Sequence, residues 1–228
     1  MKNIILVWGA PTSGKSTISK RFAFEYQYEY ISTDTMQRIV IPHMEQEVLV
    51  DEFGKTKDTT ADEFYTENSP QELIEKELKV ENRLYDSLKE VIEAAIRNNT
   101  KIIVEWTVIV PETVKKLQDE FGDIFISLFV YDDNEEHIEK TIKTRGLFNV
   151  KWKKKKEHYD HEQTYVEDFI TMIKRSAREN NLQTLRLTKT EKDFPRFLAK
   201  IEWQKNISML SRANNFFKKA KKQLGVVS

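Results

Sequence analysis

The chain has 228 residues, in which 37 Lys and Arg offset 37 Asp and Glu for a formal net charge of zero. That balance removes any global field that would draw in nucleic acid, and the absence of cysteine excludes disulfides and thiolate metal sites. The length suits one large α/β domain with a single sizeable core.

Ile4 to Trp8 is a continuous apolar run, the mark of a parallel strand buried on both faces. It is too short for a signal-peptide core or a membrane span, so a cytoplasmic location is expected. Gly9-Ala10-Pro11-Thr12-Ser13-Gly14-Lys15-Ser16 follows directly. A helix is predicted over about 15–26, with Ile18, Phe22 and Tyr26 four apart as the face laid on the sheet.

Strand, glycine-bounded loop and helix make a phosphate-loop context, which composition alone would produce on the order of once in a hundred such chains. Glycines at both ends let the backbone turn tightly and aim N–H groups at phosphate oxygens, and the helix start adds its positive dipole end. The candidate ATP-binding residues are therefore Gly9, Pro11, Thr12, Ser13, Gly14, Lys15, Ser16 and Thr17. Lys15, expected to face solvent, offers a mobile charge to the β- and γ-phosphates and is the first catalytic candidate. Ser16 offers a hydroxyl to Mg²⁺.

A second strand is predicted over Tyr28–Ser32 and a helix from Thr35 to Val40, stopped by Pro42. Asp34 lies just past that strand, on the same rim of the sheet as the phosphate loop. It is placed to orient or deprotonate an acceptor hydroxyl, or else to cap the helix with Gln37 three residues on. Arg38, at i+4, shares its face and suits an acidic or phosphorylated acceptor, with a simple Asp34–Arg38 surface pair as the alternative.

Residues 43–70 lose apolar spacing and read as an excursion at a substrate mouth, with some helix near 61–66. Ser69 as cap and Pro70 at the first position open a long helix to Asn98-Asn99. Lys101 to Thr107 is the third strand, and Glu105 near its end is positioned to touch substrate or to hold a Mg²⁺ water, although the usual residue there is Asp and a helix-edge salt bridge is the alternative.

A helix from Pro111 to Phe121 ends at Gly122, a fourth strand spans Asp123–Tyr131, and a helix covers 134–144. Arg145, just before the hinge candidate Gly146, and the lysines of 151–156 suggest a lid over 145–160 that neutralises γ-phosphoryl charge. His158-x-x-His161 reads as lid surface. A long helix to about Asn180, a fifth strand over Leu182–Leu187 and a helix near 194–204 follow.

Alternating strands and helices give an α/β three-layer sandwich around a parallel five-stranded sheet, and with its phosphate loop, lid and substrate-mouth insertion the expected P-loop fold resembles the nucleoside monophosphate kinase-like architecture. Residues 1–204 form the expected kinase domain. Residues 205–228 form a basic tail whose Phe216 and Phe217 dock on the domain or whose lysines meet a membrane surface or partner.

The segments Gly9 to Ser16, Ile31 to Arg38, Val104 to Pro111 and Tyr165 to Phe169 together resemble the archaeal-type 2-phosphoglycerate kinases, within a wider group of zeta-toxin-like kinases. The resemblance runs over roughly 3–190. It implies ATP and Mg²⁺ held by Lys15 and Ser16, an acceptor site lined by Asp34 and Arg38, and Glu105 near the reacting centre. Where that family tends to carry Glu-Gly-x-His before Val-Pro, this chain has Trp106 and Val108, and the bulky indole is expected to reshape the pocket. Two other readings stay open. One is a nucleic-acid 5′-end or nucleotide-sugar kinase using the lid and tail lysines, and the other is an ATP-binding regulatory module acting through its tail.

Overall fold

The computed structural model describes residues 4–40, 43, 67–107, 109–145, 156–182, 184–186 and 199. Its strands are β1 (Ile4–Trp8), β2 (Glu29–Ser32), β3 (Ile102–Trp106), β4 (Phe125–Tyr131) and β5 (Thr184–Arg186). Its helices are α1 (Lys15–Tyr26), α2 (Thr33–Val40), α3 (Pro70–Arg97), α4 (Pro111–Phe121), α5 (Glu135–Arg145) and α6 (Lys156–Glu179).

All strand pairs are parallel, in the order β2-β3-β1-β4-β5. Four strands of four to seven residues make the body of the sheet, and β5 is described over three residues at its edge. Every residue of β1 and β3 is buried, as a two-sided position requires.

The pleat sends alternate side chains to two cores. Ile4, Leu6, Trp8, Val104, Trp106, Phe125 and Phe129 meet Leu84, Leu88 and Ile92 of α3, Val114 and Leu117 of α4, and Tyr165, Phe169 and Ile173 of α6. Ile5, Val7, Ile103, Leu128 and Val130 meet Phe22 and Ala23 of α1. Each such side chain contributes about 1.5–3 kcal/mol when fully buried. Tyr26 departs from the expected apolar face: it is 44% exposed and stacks on Phe22 at 4.7 Å instead of lying on the sheet.

The start of α3 is fixed by a capping box. The Ser69 side chain accepts from the Glu72 N–H while the Glu72 carboxylate accepts from the Ser69 N–H, and Pro70 takes the first helical position. Helix ends use Gln27, Asn99 and Asn181 at positive φ where glycine is commoner. The predicted helix of 194–204 apart from residue 199, nearly all of the 43–70 excursion, lid residues 146–155 and the 205–228 tail lie outside the described residues. Residues 156–160 of the expected lid belong to α6.

Candidate active site

The phosphate loop leaves the carboxyl end of the central strand β1, between β3 and β4. In an open parallel sheet this is where crossovers depart in opposite directions and a crevice opens. Gly9 is anchored on both sides: its N–H donates to the Trp106 carbonyl at 3.2 Å, and a Cβ added to it would stand 1.8 Å from the Val130 carbonyl oxygen. Gly14 has φ 85, a left-handed turn that starts α1, and Thr12 takes the same region at φ 67. The buried hydroxyls of Thr12 and Ser13 have no hydrogen-bond partner, an arrangement that fits a cradle for a polar anion.

Lys15 contradicts the expectation of a solvent-facing side chain. It is 5% exposed, and its ammonium donates to the Ala10 carbonyl across the loop at 3.2 Å. Ser16 is partly buried and Thr17 is exposed on the first turn of α1.

Glu105 is the centre of the site's polar network. Because β3 pairs with β1 with Val7 opposite Glu105, its side chain emerges on the α1 side of the sheet, 2% exposed. Oε1 accepts from Ser16 Oγ at 3.1 Å and lies 3.7 Å from Lys15 Nζ, while Oε2 accepts from the Tyr30 hydroxyl at 2.7 Å. Burial, reinforced by the hydrogen bond to Glu105, raises the Tyr30 phenol well above its ordinary value, so it keeps its proton and donates it to the carboxylate. A glutamate carries one methylene more than the usual aspartate, and here that length bridges β3 to the start of α1. The set of Lys15, Ser16 and Glu105 fits a magnesium-nucleotide, with a cation, a hydroxyl and a carboxylate converging at a helix N-terminus.

The acceptor candidates sit one strand over. Helix α2 begins at Thr33 immediately after β2, so Asp34 lies inside the first turn and is not the cap the sequence allowed. Its Oδ1 lies 3.4 Å from Thr107 Oγ1, a long hydrogen bond joining the ends of β2 and β3. Asp34 and Arg38 are both exposed, and no ion pair joins them among the described residues.

Trp106 is a second correction. It is completely buried on the face away from Glu105, packed in the core with Trp8, so the indole fills the domain interior and does not project with Glu105 toward the phosphate loop. Val108 lies outside the described residues. Arg145 is the last residue of α5.

Sequence reading missed Tyr30 and Thr107. The signal for Tyr30 existed only in two dimensions: in register, Tyr30 faces Ile103 and Ser32 faces Glu105, so Tyr30 is the diagonal same-face neighbour of Glu105.

The fold and this site define a P-loop nucleotide-binding protein. Residues 4–167 match the AAA domain family AAA_33, and the chain belongs to that family. No curated relative matches the chain. Among solved structures it is similar to shikimate kinase from Acinetobacter baumannii (12% identity, 89% of this chain and 94% of that one, TM-score 0.52). It is also similar to a sugar kinase from Janibacter sp. HTCC2649 (16%, 89% and 95%, 0.55) and to dephospho-CoA kinase from Campylobacter jejuni (16%, 94% and 100%, 0.50). Identities this low establish the fold alone. Family, fold and phosphate loop agree on a P-loop nucleotide-binding domain. Among the described residues, no helix is long and apolar enough to cross a membrane.

Proposed function

We propose that the protein is an ATP-dependent kinase that transfers the γ-phosphoryl group of ATP to the hydroxyl of a small anionic acceptor such as 2-phosphoglycerate. The observation that carries this reading is the pairing of two carboxylates on neighbouring strand ends: Glu105 bonded to Ser16 of the phosphate loop, and Asp34 beside Thr107 one strand away. Arg38 lies one turn along α2 from Asp34, at the spacing that places both on one helix face. The shikimate, sugar and dephospho-CoA kinases that share the fold are named for small-molecule substrates, in keeping with an acceptor of that size. The nucleic-acid reading depended on tail lysines and on lid lysines that, apart from Lys156 at the start of α6, lie outside the described residues.

In this reading residues 1–204 form the kinase domain. Backbone N–H groups of Gly9 to Ser16 hold the phosphates, and Lys15 exchanges the Ala10 carbonyl for phosphate oxygens. Ser16 and Glu105 would hold Mg²⁺, the serine through its hydroxyl and the glutamate through its carboxylate, and the ion would supply charge neutralisation to the phosphates there. Asp34 accepts the proton of the acceptor hydroxyl as its oxygen bonds to the γ-phosphorus and the bond to ADP breaks. Arg38 fixes the acceptor's own anion, and Arg145 neutralises charge on the transferring group.

A screen of ATP consumption over phosphorylated acids, neutral sugars, nucleosides and RNA ends, read by product mass, tests the proposal. Phosphorylation of small hydroxy acids bearing an anion supports it, and transfer confined to RNA ends or to neutral sugars refutes it.

A further inference from the structure

Tyr30 has no part in the chemistry above, yet it makes the shortest hydrogen bond to Glu105. Its hydroxyl takes Oε2 at 2.7 Å, leaving Oε1 to Ser16 at 3.1 Å and Lys15 at 3.7 Å. One oxygen of the carboxylate thus faces the phosphate loop while the other is tied to β2.

That division has a physical consequence. A glutamate side chain turns about three bonds, the last of which has only a broad preference, so a carboxylate held at one oxygen can swing the other away from its target. Held at both, it presents Oε1 in one place. The Tyr30 ring is itself seated: it packs against the α1-side core, and the Lys20 ammonium stands 5.4 Å from its centroid. The anchor therefore rests on a strand and a core cluster.

We infer that Tyr30 is a positioning residue that holds Glu105 with Oε1 toward Ser16 and Lys15, and thereby sets the affinity of the nucleotide site for its divalent cation. The inference rests on the reading of Ser16 and Glu105 as the cation-holding pair. Groups that orient a metal-facing ligand are typically worth about 10-fold to 100-fold in metal affinity when removed.

Tyr30→Phe keeps the ring and removes only the hydroxyl. Mn²⁺ serves as the probe, its binding followed by electron paramagnetic resonance with a non-hydrolysable ATP analogue present. Affinity for the analogue is measured separately in EDTA. Mn²⁺ affinity is expected to fall about tenfold or more, with analogue affinity in EDTA unchanged. Glu105→Gln should weaken Mn²⁺ at least as much, and Tyr30→Phe should add nothing in the Glu105→Gln background, because the two act through one carboxylate.

Wild-type Mn²⁺ affinity in Tyr30→Phe, with Glu105→Gln weakened, overturns the role of Tyr30 and leaves the reading of Glu105 standing. Wild-type affinity in both variants overturns the reading of Glu105 and the inference with it. An equal loss of analogue binding in EDTA, or fully additive losses in the double variant, shows general damage to the site and also overturns the inference.

Discussion

Lys15 and Glu105 stand 3.7 Å apart with side chains only 6% and 3% exposed, so the residue expected to grip phosphate is half of a buried ion pair. Such a pair adds little net stability when whole, yet breaking one partner costs about 3–5 kcal/mol because the other charge stays buried. Lys15→Ala should therefore abolish phosphoryl transfer and also lower the unfolding midpoint, with Ser16 and Tyr30 softening the loss by still bonding the carboxylate. Lys15→Ala, Glu105→Gln should recover stability without recovering turnover. Thermal melts beside turnover assays separate the two effects, and near-normal turnover in Lys15→Ala would rule out the assigned role.

Asp34 sits in the first turn of α2 with its carboxylate beside Thr107, outside the cap position. Asp34→Asn keeps size and polarity but removes the proton acceptor, so kcat should fall by roughly 10² to 10⁴ with ATP affinity nearly unchanged. Steady-state kinetics at saturating acceptor decide the matter. An unchanged kcat would leave Asp34 a structural residue of the rim.

Arg38→Ala should raise KM for an anionic acceptor by the loss of about 1.5–3 kcal/mol of charge-assisted bonding, while KM for ATP holds. A defect confined to ATP would mean that Arg38 faces the nucleotide and that the acceptor lies elsewhere.

Gly9→Ala should destabilise the fold by on the order of 4 kcal/mol or more. The new Cβ would stand 1.8 Å from a backbone oxygen of β4, at φ 149, and neither chain can yield without moving the sheet. Denaturation midpoints measure it directly, and wild-type stability would show that the loop is free of β4.

What could be read from the chain depended on the range of the signal. The β1 run, the glycine-bounded loop and the Ser69-Pro70-Gln71-Glu72 start of α3 are local patterns whose physics is complete within a few residues, and each forms where expected. Lys15 was misplaced because its buried ion-pair partner, Glu105, lies ninety positions on in sequence and is adjacent only once β3 pairs with β1. Tyr30 escaped notice for the same reason, since its bond to Glu105 needs the β2–β3 register. Trp106 seemed to belong to the pocket because it neighbours Glu105, but successive strand residues point to opposite faces, and the indole joins the core.

The most direct test is the fate of the γ-phosphoryl group. Wild-type protein and the Arg38→Ala variant would be given isotopically labelled ATP, Mg²⁺ and either 2-phosphoglycerate or a neutral polyol of similar size, and the products resolved by mass. The expected result is a new phosphate ester on the anionic acceptor, little or none on the polyol, and a loss of that preference in Arg38→Ala. Label released only as inorganic phosphate, or equal transfer to both acceptors by the wild type, would contradict the assignment of an anionic acceptor to Asp34 and Arg38.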